Sequence, residues 1–254
     1  MCPLFRSSKE DVPSAVEPIP TVFPSIVGAD IAAVFVGNRI AGDFYDSIRV
    51  SPQRVLIGLM DVAGRRTDNR KVLTTAQDIF RKSGPELLAT EDVNEADAVT
   101  ELTLRLNRGL IDAAAGVLSC PAFLACYHER FGTLCYANAG HTPGLLRDAT
   151  GVTELTSTGL PLGLFSHATA EARIVGMEKR AALLLVSHGV VACEGRSGGP
   201  PEEFGLDGVK SVFAAVTAQS AKEICTSVLN SLTGFRNGGP ICDDQTALTL
   251  LRTS

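Results

Sequence analysis

No stretch of this sequence approaches the ~18 consecutive apolar residues of a membrane-spanning helix, and the longest apolar run, residues 181–186, has the length of a strand. The first residues lack the apolar core of a secretory leader. A net charge of −5 with no compensating Lys/Arg cluster argues against nucleic acid as a partner. Cysteine is present without a pairing pattern: seven residues, an odd number, are scattered at 2, 120, 126, 135, 193, 225 and 242, with no C-x-x-C pair. This argues against a disulfide framework or a zinc site and points to a reduced, cytoplasmic protein with buried thiols. Walker-type and dinucleotide-binding glycine motifs are missing, and so is any internal repeat. None of the scattered thiols has a recognisable histidine partner, which leaves cysteine nucleophile chemistry without support.

The composition is globular, 45% apolar and 20% charged over 254 residues, and the length suits one large α/β sandwich. Residues 1–20 are polar and punctuated by proline, which reads as a flexible tail, with a domain over 21–254. The stretch richest in chemistry runs from Gly42 to Gly64. Residues 43–50 and 54–62 carry the β-branched and aromatic content of strands, and Ser51-Pro52-Gln53 between them is turn chemistry. An antiparallel pair folded at that turn brings its far ends together, so Asp43 and Asp61 should meet. Two carboxylates among apolar neighbours repel unless they share a proton or bind a cation. Oxygen-only ligation suits Mg²⁺ or Mn²⁺. The plainer alternative is two aspartates at loop edges.

After Gly64 the period changes. Val72, Leu73, Ala76, Ile79 and Phe80 lie on one helical face, which Ser83-Gly84-Pro85 should interrupt. A second helix should start near Asn94, carry Val99, Leu102, Leu106, Leu110 and Ala114 inward, and stop at Gly116. Strands are expected over 29–37, 122–128, 133–138, 143–147, 152–156, 170–178 and 180–187, with a loop over 158–167 and a flexible segment over 195–201. Two further helices follow: one over 206–216, and one opened by the capping box Ser220-Ala221-Lys222-Glu223 and ended at Gly238. A last strand covers about 244–251. Helices arriving in pairs among strand runs predict an α+β, αββα sandwich: two packed, mainly antiparallel sheets flanked by helix pairs. Polar groups recur at strand ends: Asp43, Asp61, His188 and Asp243, with Asp46 and Asp244 nearby and His141 in a glycine turn.

Seven short motifs appear in order: Gly42-Asp43-Phe44-Tyr45-Asp46, Asp61-Val62-Ala63-Gly64, Asn138-Ala139-Gly140-His141-Thr142-Pro143, Gly159-Leu160-Pro161-Leu162-Gly163, Ser187-His188-Gly189, Glu203-Phe204-Gly205 and Asp243-Asp244-Gln245-Thr246. The series, over residues 22–252, resembles the stage II sporulation protein E-like branch of the metal-dependent, 2C-type (PPM) serine/threonine phosphatases. The resemblance implies hydrolysis of phosphoserine or phosphothreonine by metal-activated water at a binuclear Mn²⁺ or Mg²⁺ site, with Mn²⁺ favoured. It makes Asp43, Asp61 and Asp243 the catalytic carboxylates, and Asp43, Asp61, the Val62 carbonyl, His188 and Asp243 the metal ligands. Asp46, Asp244 and His141 remain as supporting candidates, and Arg39 could bind phosphate by bidentate contacts. The implied partner is a phosphorylated regulatory protein of the anti-sigma-factor antagonist type.

The sequence departs from that pattern where it matters. The family's Ser-Asp-Gly turn is Ser187-His188-Gly189 here, so imidazole replaces a carboxylate. Imidazole serves Mn²⁺ acceptably and Mg²⁺ poorly. The Ser-Gly-Lys-Gly turn after the bridging aspartate is Ala63-Gly64-Arg65-Arg66, and the acidic residue expected after Ser-Asp-Gly is Ala192. A catalytically weakened phosphatase-like binding module is the competing expectation. His141 stands where related eukaryotic enzymes place an acidic residue near a third metal, or is simply a turn residue.

Overall fold

The computed structural model describes residues 19–36, 42–62, 69–114, 118–195 and 202–254. In chain order it forms β1 (Ala29–Val36), β2 (Gly42–Ser51), β3 (Arg54–Val62), α1 (Arg70–Leu88), α2 (Glu95–Ala113), β4 (Ala122–His128), β5 (Thr133–Ala139), β6 (Gly144–Asp148), β7 (Gly151–Leu155), β8 (Arg173–Gly176) and β9 (Ala182–Val186). There follow α3 (His188–Val191), the short pair β10 (Glu194–Gly195) and β11 (Glu202–Glu203), α4 (Gly205–Ala215), α5 (Ala221–Arg236) and β12 (Gln245–Arg252). Two five-stranded sheets result, ordered β1-β12-β9-β6-β7 and β2-β3-β4-β5-β8. Their pairings are antiparallel.

The four layers follow from strands that are apolar on both faces. On β3, Leu56 and Met60 pack with Leu73 and Phe80 of α1 and Leu102 and Leu106 of α2. The alternate residues Val55, Ile57 and Leu59 pack with Leu183 and Leu185 of β9 and Leu248 and Leu250 of β12. The outer face of that second sheet, with Leu184, Val186 and Ala247, is covered by Val209 and Phe213 of α4 and Ile224 and Val228 of α5. A period of two on strands and 3.6 on helices thus yields three apolar layers and the αββα sandwich expected from the sequence. Each fully buried Leu or Phe contributes about 1.5–3 kcal/mol of transfer free energy.

Several local expectations are corrected. Ser83-Gly84-Pro85 does not interrupt α1, which continues to Leu88. A Cβ at Gly84 would come within 2.7 Å of Leu56 Cδ2, so the bare backbone lets this turn lie on the sheet. Leu88 is then fully buried, and the helical bond from Ala89 N to Pro85 O still forms. Burial of the last turn outweighs the one hydrogen bond that proline removes. Strand β8 is shorter than expected because only Arg173–Gly176 pairs with β5. The turn Ser187-His188-Gly189 that closes β9 runs on as one helical turn, α3. Gly116, Arg39 and most of the 195–201 segment lie outside the described residues.

The helix starts obey local chemistry. Asn94 Oδ1 accepts from the amides of Ala96 and Asp97, and Ser220 Oγ from that of Glu223. Of the expected tail only Ile19 and Pro20 are described, and Ile19 exchanges two hydrogen bonds with the Gln77 side chain on α1. Among the described residues no helix is long and apolar enough to cross a membrane. The six cysteines among them are unpaired, five of them buried.

Candidate metal centre

Asp43 and Asp61 are partners in the β2–β3 register, as the hairpin reading of the sequence requires. The strands close tightly there: a Cβ at Gly42 would lie 2.4 Å from the Val62 carbonyl oxygen. Only glycine admits that approach, which puts the Val62 carbonyl and the two carboxylates at one strand end. Burial, reinforced by the charge of Asp61, pushes the Asp43 carboxyl up to about 8. Burial also raises Asp61, to about 6, although hydrogen bonds from Asp43 and the His188 amide draw it down.

Each carboxylate is oriented by a group distant in sequence. Thr246 Oγ1 donates to Asp43 Oδ2 at 2.7 Å. The backbone amide of His188 donates to Asp61 Oδ2 at 3.0 Å. These two donors are themselves coupled. The Ser187 amide donates to Thr246 O and the Thr246 amide to Ser187 Oγ, each across about 3 Å. Gly189 allows this packing, because a Cβ there would meet Asp244 O at 2.2 Å. The start of α3 and the start of β12 are therefore pressed together beside the paired aspartates.

A cavity of about 450 Å³ opens on this edge, lined by Asp43, Asp61, Val62, Ser119, Pro121, Gly140, Thr142, His188, Cys242 and Asp243. All five residues that the resemblance put forward as metal ligands line it. The other candidates are placed differently. His141 has a fully buried ring, with Nδ1 2.9 Å from Thr142 O and Nε2 3.4 Å from Asp61 Oδ2. Burial holds its pKa down to about 4, so the ring is neutral at pH 7. With Nδ1–H on the Thr142 carbonyl, Nε2 offers a lone pair toward Asp61. Asp244 is buried behind Asp243, whose Oδ1 accepts its amide at 2.8 Å.

Asp46 points away from the cavity. Its fully buried carboxylate accepts from Nε and Nη2 of Arg81 at 2.6 and 3.1 Å, from Gln77 at 3.3 Å and from Thr21 Oγ1 at 3.1 Å. It ties β2 to α1 and to the segment before β1. Arg39 lies outside the described residues. Sequence reasoning assigned no role to Thr246 or Ser187, the hydroxyls that organise Asp43. Their only signal was membership of the motifs ending in Thr246 and beginning at Ser187.

The donor set fits a hard divalent cation. Asp61 Oδ1 and His141 Nε2 are buried with no hydrogen-bond partner, so two acceptors lack a proton or a cation. Paired buried carboxylates with raised pKa values carry the same demand. Among the described residues no three His, Cys, Asp or Glu side chains form a ready cage. Protein ligands would therefore be few, with water completing the shell, as Mg²⁺ tolerates.

Comparison with known proteins identifies the fold and the family. The family model for stage II sporulation protein E (SpoIIE) matches residues 51–253. No curated protein sequence matches significantly. Among solved structures, the RsbU and RsbW domains of Rv1364c from Mycobacterium tuberculosis superpose with a TM-score of 0.70 at 24% identity, covering 89% of this chain and 60% of that one. The SiaA PP2C domain of Pseudomonas aeruginosa gives 0.72 at 20% identity, covering 88% and 86%. The PP2C phosphatase domain of SpoIIE from Bacillus subtilis, with a fragment of its regulatory domain, gives 0.70 at 14% identity, covering 89% and 62%. At these identities the likeness is one of fold, and the fold is that of the PP2C phosphatases. The chain spans three fifths of the Rv1364c structure it matches.

Proposed function

The chain belongs to the stage II sporulation protein E family, and on that premise we propose that it is a divalent-cation-dependent protein phosphatase acting on phosphoserine or phosphothreonine. The observation that carries the proposal is the buried, in-register pair Asp43–Asp61 at the wall of an open cavity, with Asp61 Oδ1 lacking any donor. A phosphate monoester could not approach the negative charge of this acidic cluster unless that charge were neutralised. The residues that would hold two cations are Asp43, Asp61, the Val62 carbonyl, Asp243 and His188, all around one cavity. Bound there, Mn²⁺ or Mg²⁺ would supply charge neutralisation at the phosphoryl group and a nucleophile at neutral pH. Thr246 and the His188 amide fix the two carboxylates, so the pair would be held ready with little reorganisation. His188 offers an imidazole nitrogen where a carboxylate would offer oxygen, which favours Mn²⁺ over Mg²⁺.

The substrate we propose is a phosphorylated regulatory protein of the anti-sigma-factor antagonist type. The Rv1364c structure, in which an RsbU domain accompanies an RsbW domain, supports a regulatory setting of this kind. The competing reading, a weakened binding module, has no observation of its own in the site. The decisive experiment is release of phosphate from a phosphoserine peptide with Mn²⁺, Mg²⁺ or chelator, on the wild type and Asp61→Asn. Mn²⁺-dependent turnover lost in Asp61→Asn, with thermal stability retained, is the expected result. Unchanged turnover in the variant would remove Asp61 from the site.

A further inference from the structure

A cavity lined by arginines lies at the opposite end of the sandwich from the acidic cleft. Thr246 stands near the start of β12 and Arg252 at its end, which is roughly 20 Å of strand. Around that far end is a cavity of about 570 Å³, lined by three arginines, Arg147, Arg180 and Arg252, with Thr217 and Gln219 among its other walls and no carboxylate side chain. The register explains the clustering. Arg147 on β6 is paired with Ala182 on β9, which is paired with Leu251 on β12, and the Arg180 amide donates to Arg252 O at 2.9 Å.

The Arg147 and Arg252 guanidinium groups are placed by main-chain oxygens, and Arg252 reaches the carboxyl group of Ser254. Arg147 donates to the carbonyls of Phe213 and Val216 at the end of α4, and its guanidinium carbon sits 4.6 Å above the Phe213 ring. Arg252 donates to Met177 O and Ser254 O. No Asp or Glu side chain among the described residues pairs with any of the three. Three acids toward this end of the fold are engaged elsewhere. Asp30 accepts from the Ala221 amide, Glu223 from the Gln219 amide, and Glu154 pairs with Lys210. Burial lowers the Arg147 pKa, with no anion to oppose it. A partly buried cation without a counter-charge is unfavourable until an anion arrives. Arg180 adds a second unusual feature, a left-handed backbone at φ 69°, which holds its exposed side chain at the cavity rim.

We propose that this arginine-lined cavity is a second binding site, separate from the acidic cleft, for a small multiply charged anion bearing phosphoryl groups. Guanidinium forks match phosphoryl oxygens in bidentate geometry, and each carries five N–H donors, more than the backbone carbonyls here consume. The Thr217 hydroxyl and the Gln219 amide add neutral donors suited to the remaining oxygens. An independent site of this kind makes the protein responsive to a phosphorylated small molecule without competition at the cleft.

The test is calorimetric titration of the full chain with pyrophosphate in the presence of chelator, where the cation-free cleft repels the probe. The expected result is a single site in the wild type, weakened roughly tenfold or more in Arg180→Asn. Asn tolerates the left-handed backbone, so this variant keeps its fold, and melting temperature checks that it does. Lys179→Asn, the same charge change one residue away, should leave the affinity unaltered. No measurable binding by the wild type would overturn the proposal, as would equal affinity in the wild type and a folded Arg180→Asn.

Discussion

The backbone amide of His188 donates to Asp61 Oδ2 at 3.0 Å, across a sequence separation of 127 residues. The turn containing His188 therefore acts on the metal-ligand candidate Asp61 through its main chain, whatever its side chain does. This separates two roles that a substitution at position 188 can test independently.

Replacing His188 by Asp keeps the amide and restores a carboxylate at the cavity wall. We expect Mg²⁺-supported phosphatase activity to rise at least tenfold, about 1.4 kcal/mol of barrier or binding. Initial rates measured side by side in Mg²⁺ and in Mn²⁺ check this. No gain in either metal would take the His188 side chain out of the ligand set.

The cation-free protein should lose stability as pH rises. Asp43 and Asp61 hold protons up to about 8 and about 6, above the ordinary value of 3.8. The folded chain thus binds protons that the unfolded chain has already released, and stability falls with pH through that window. His141 acts in the other direction: its folded pKa of about 4, below the usual 6.5, removes stability as pH drops from 6.5 toward 4. Between pH 6.5 and about 8 only the Asp43 effect remains. Calorimetric melting in chelator should show Tm declining over that interval, at ~2–4 °C per kcal/mol for a chain of this length. The decline should vanish in Asp43→Asn and be reversed by added Mn²⁺.

Gly42→Ala should impair cation binding with its carboxylates intact. The new methyl would stand 2.4 Å from Val62 O and 2.7 Å from Val62 Cβ, so β2 and β3 must part where both carboxylates sit. Titration with Mn²⁺ should show affinity lower by roughly tenfold or more. Wild-type affinity in this variant would mean that the strand closure is not needed at the centre.

Asp46→Asn should act on stability and on the first described segment. The substitution replaces an acceptor of bonds from Arg81, Gln77 and Thr21 with an amide whose NH₂ faces those donors. We expect a loss of about 1–3 kcal/mol in chemical denaturation. Residues 19–24 should become more readily cleaved by protease, since Thr21 loses its carboxylate partner. An unchanged digestion pattern would show that other contacts suffice to hold this segment.

Much of the site was legible because it is local. Asp43 and Asp61 belong to one hairpin, whose turn and period of two fix which residues oppose each other. Thr246 and Asp43 are 203 residues apart, and nothing in either segment announces the hydrogen bond between them. The burial of His141 was equally hidden, since a glycine turn can face solvent or core. Asp46, in the same motif as Asp43, was expected near the chemistry; it faces α1, and the arginine that claims it comes from a helix 35 residues on.

By itself the sequence determined the element types, the helix caps, the apolar faces and the hairpin that pairs two carboxylates. These depend on periodicity and turn chemistry within about twenty residues, where chain connectivity limits the alternatives. It also misjudged Ser83-Gly84-Pro85, where a local break signal yielded to burial of Leu88. Tertiary structure alone decided which strand lies beside which, and so brought the starts of α3 and β12 to Asp43 and Asp61 while setting three arginines around the far end of β12. Contacts between distant segments depend on sheet stacking and register across the whole domain, and those are settled by the summed packing of three apolar layers and not by any one stretch of chain.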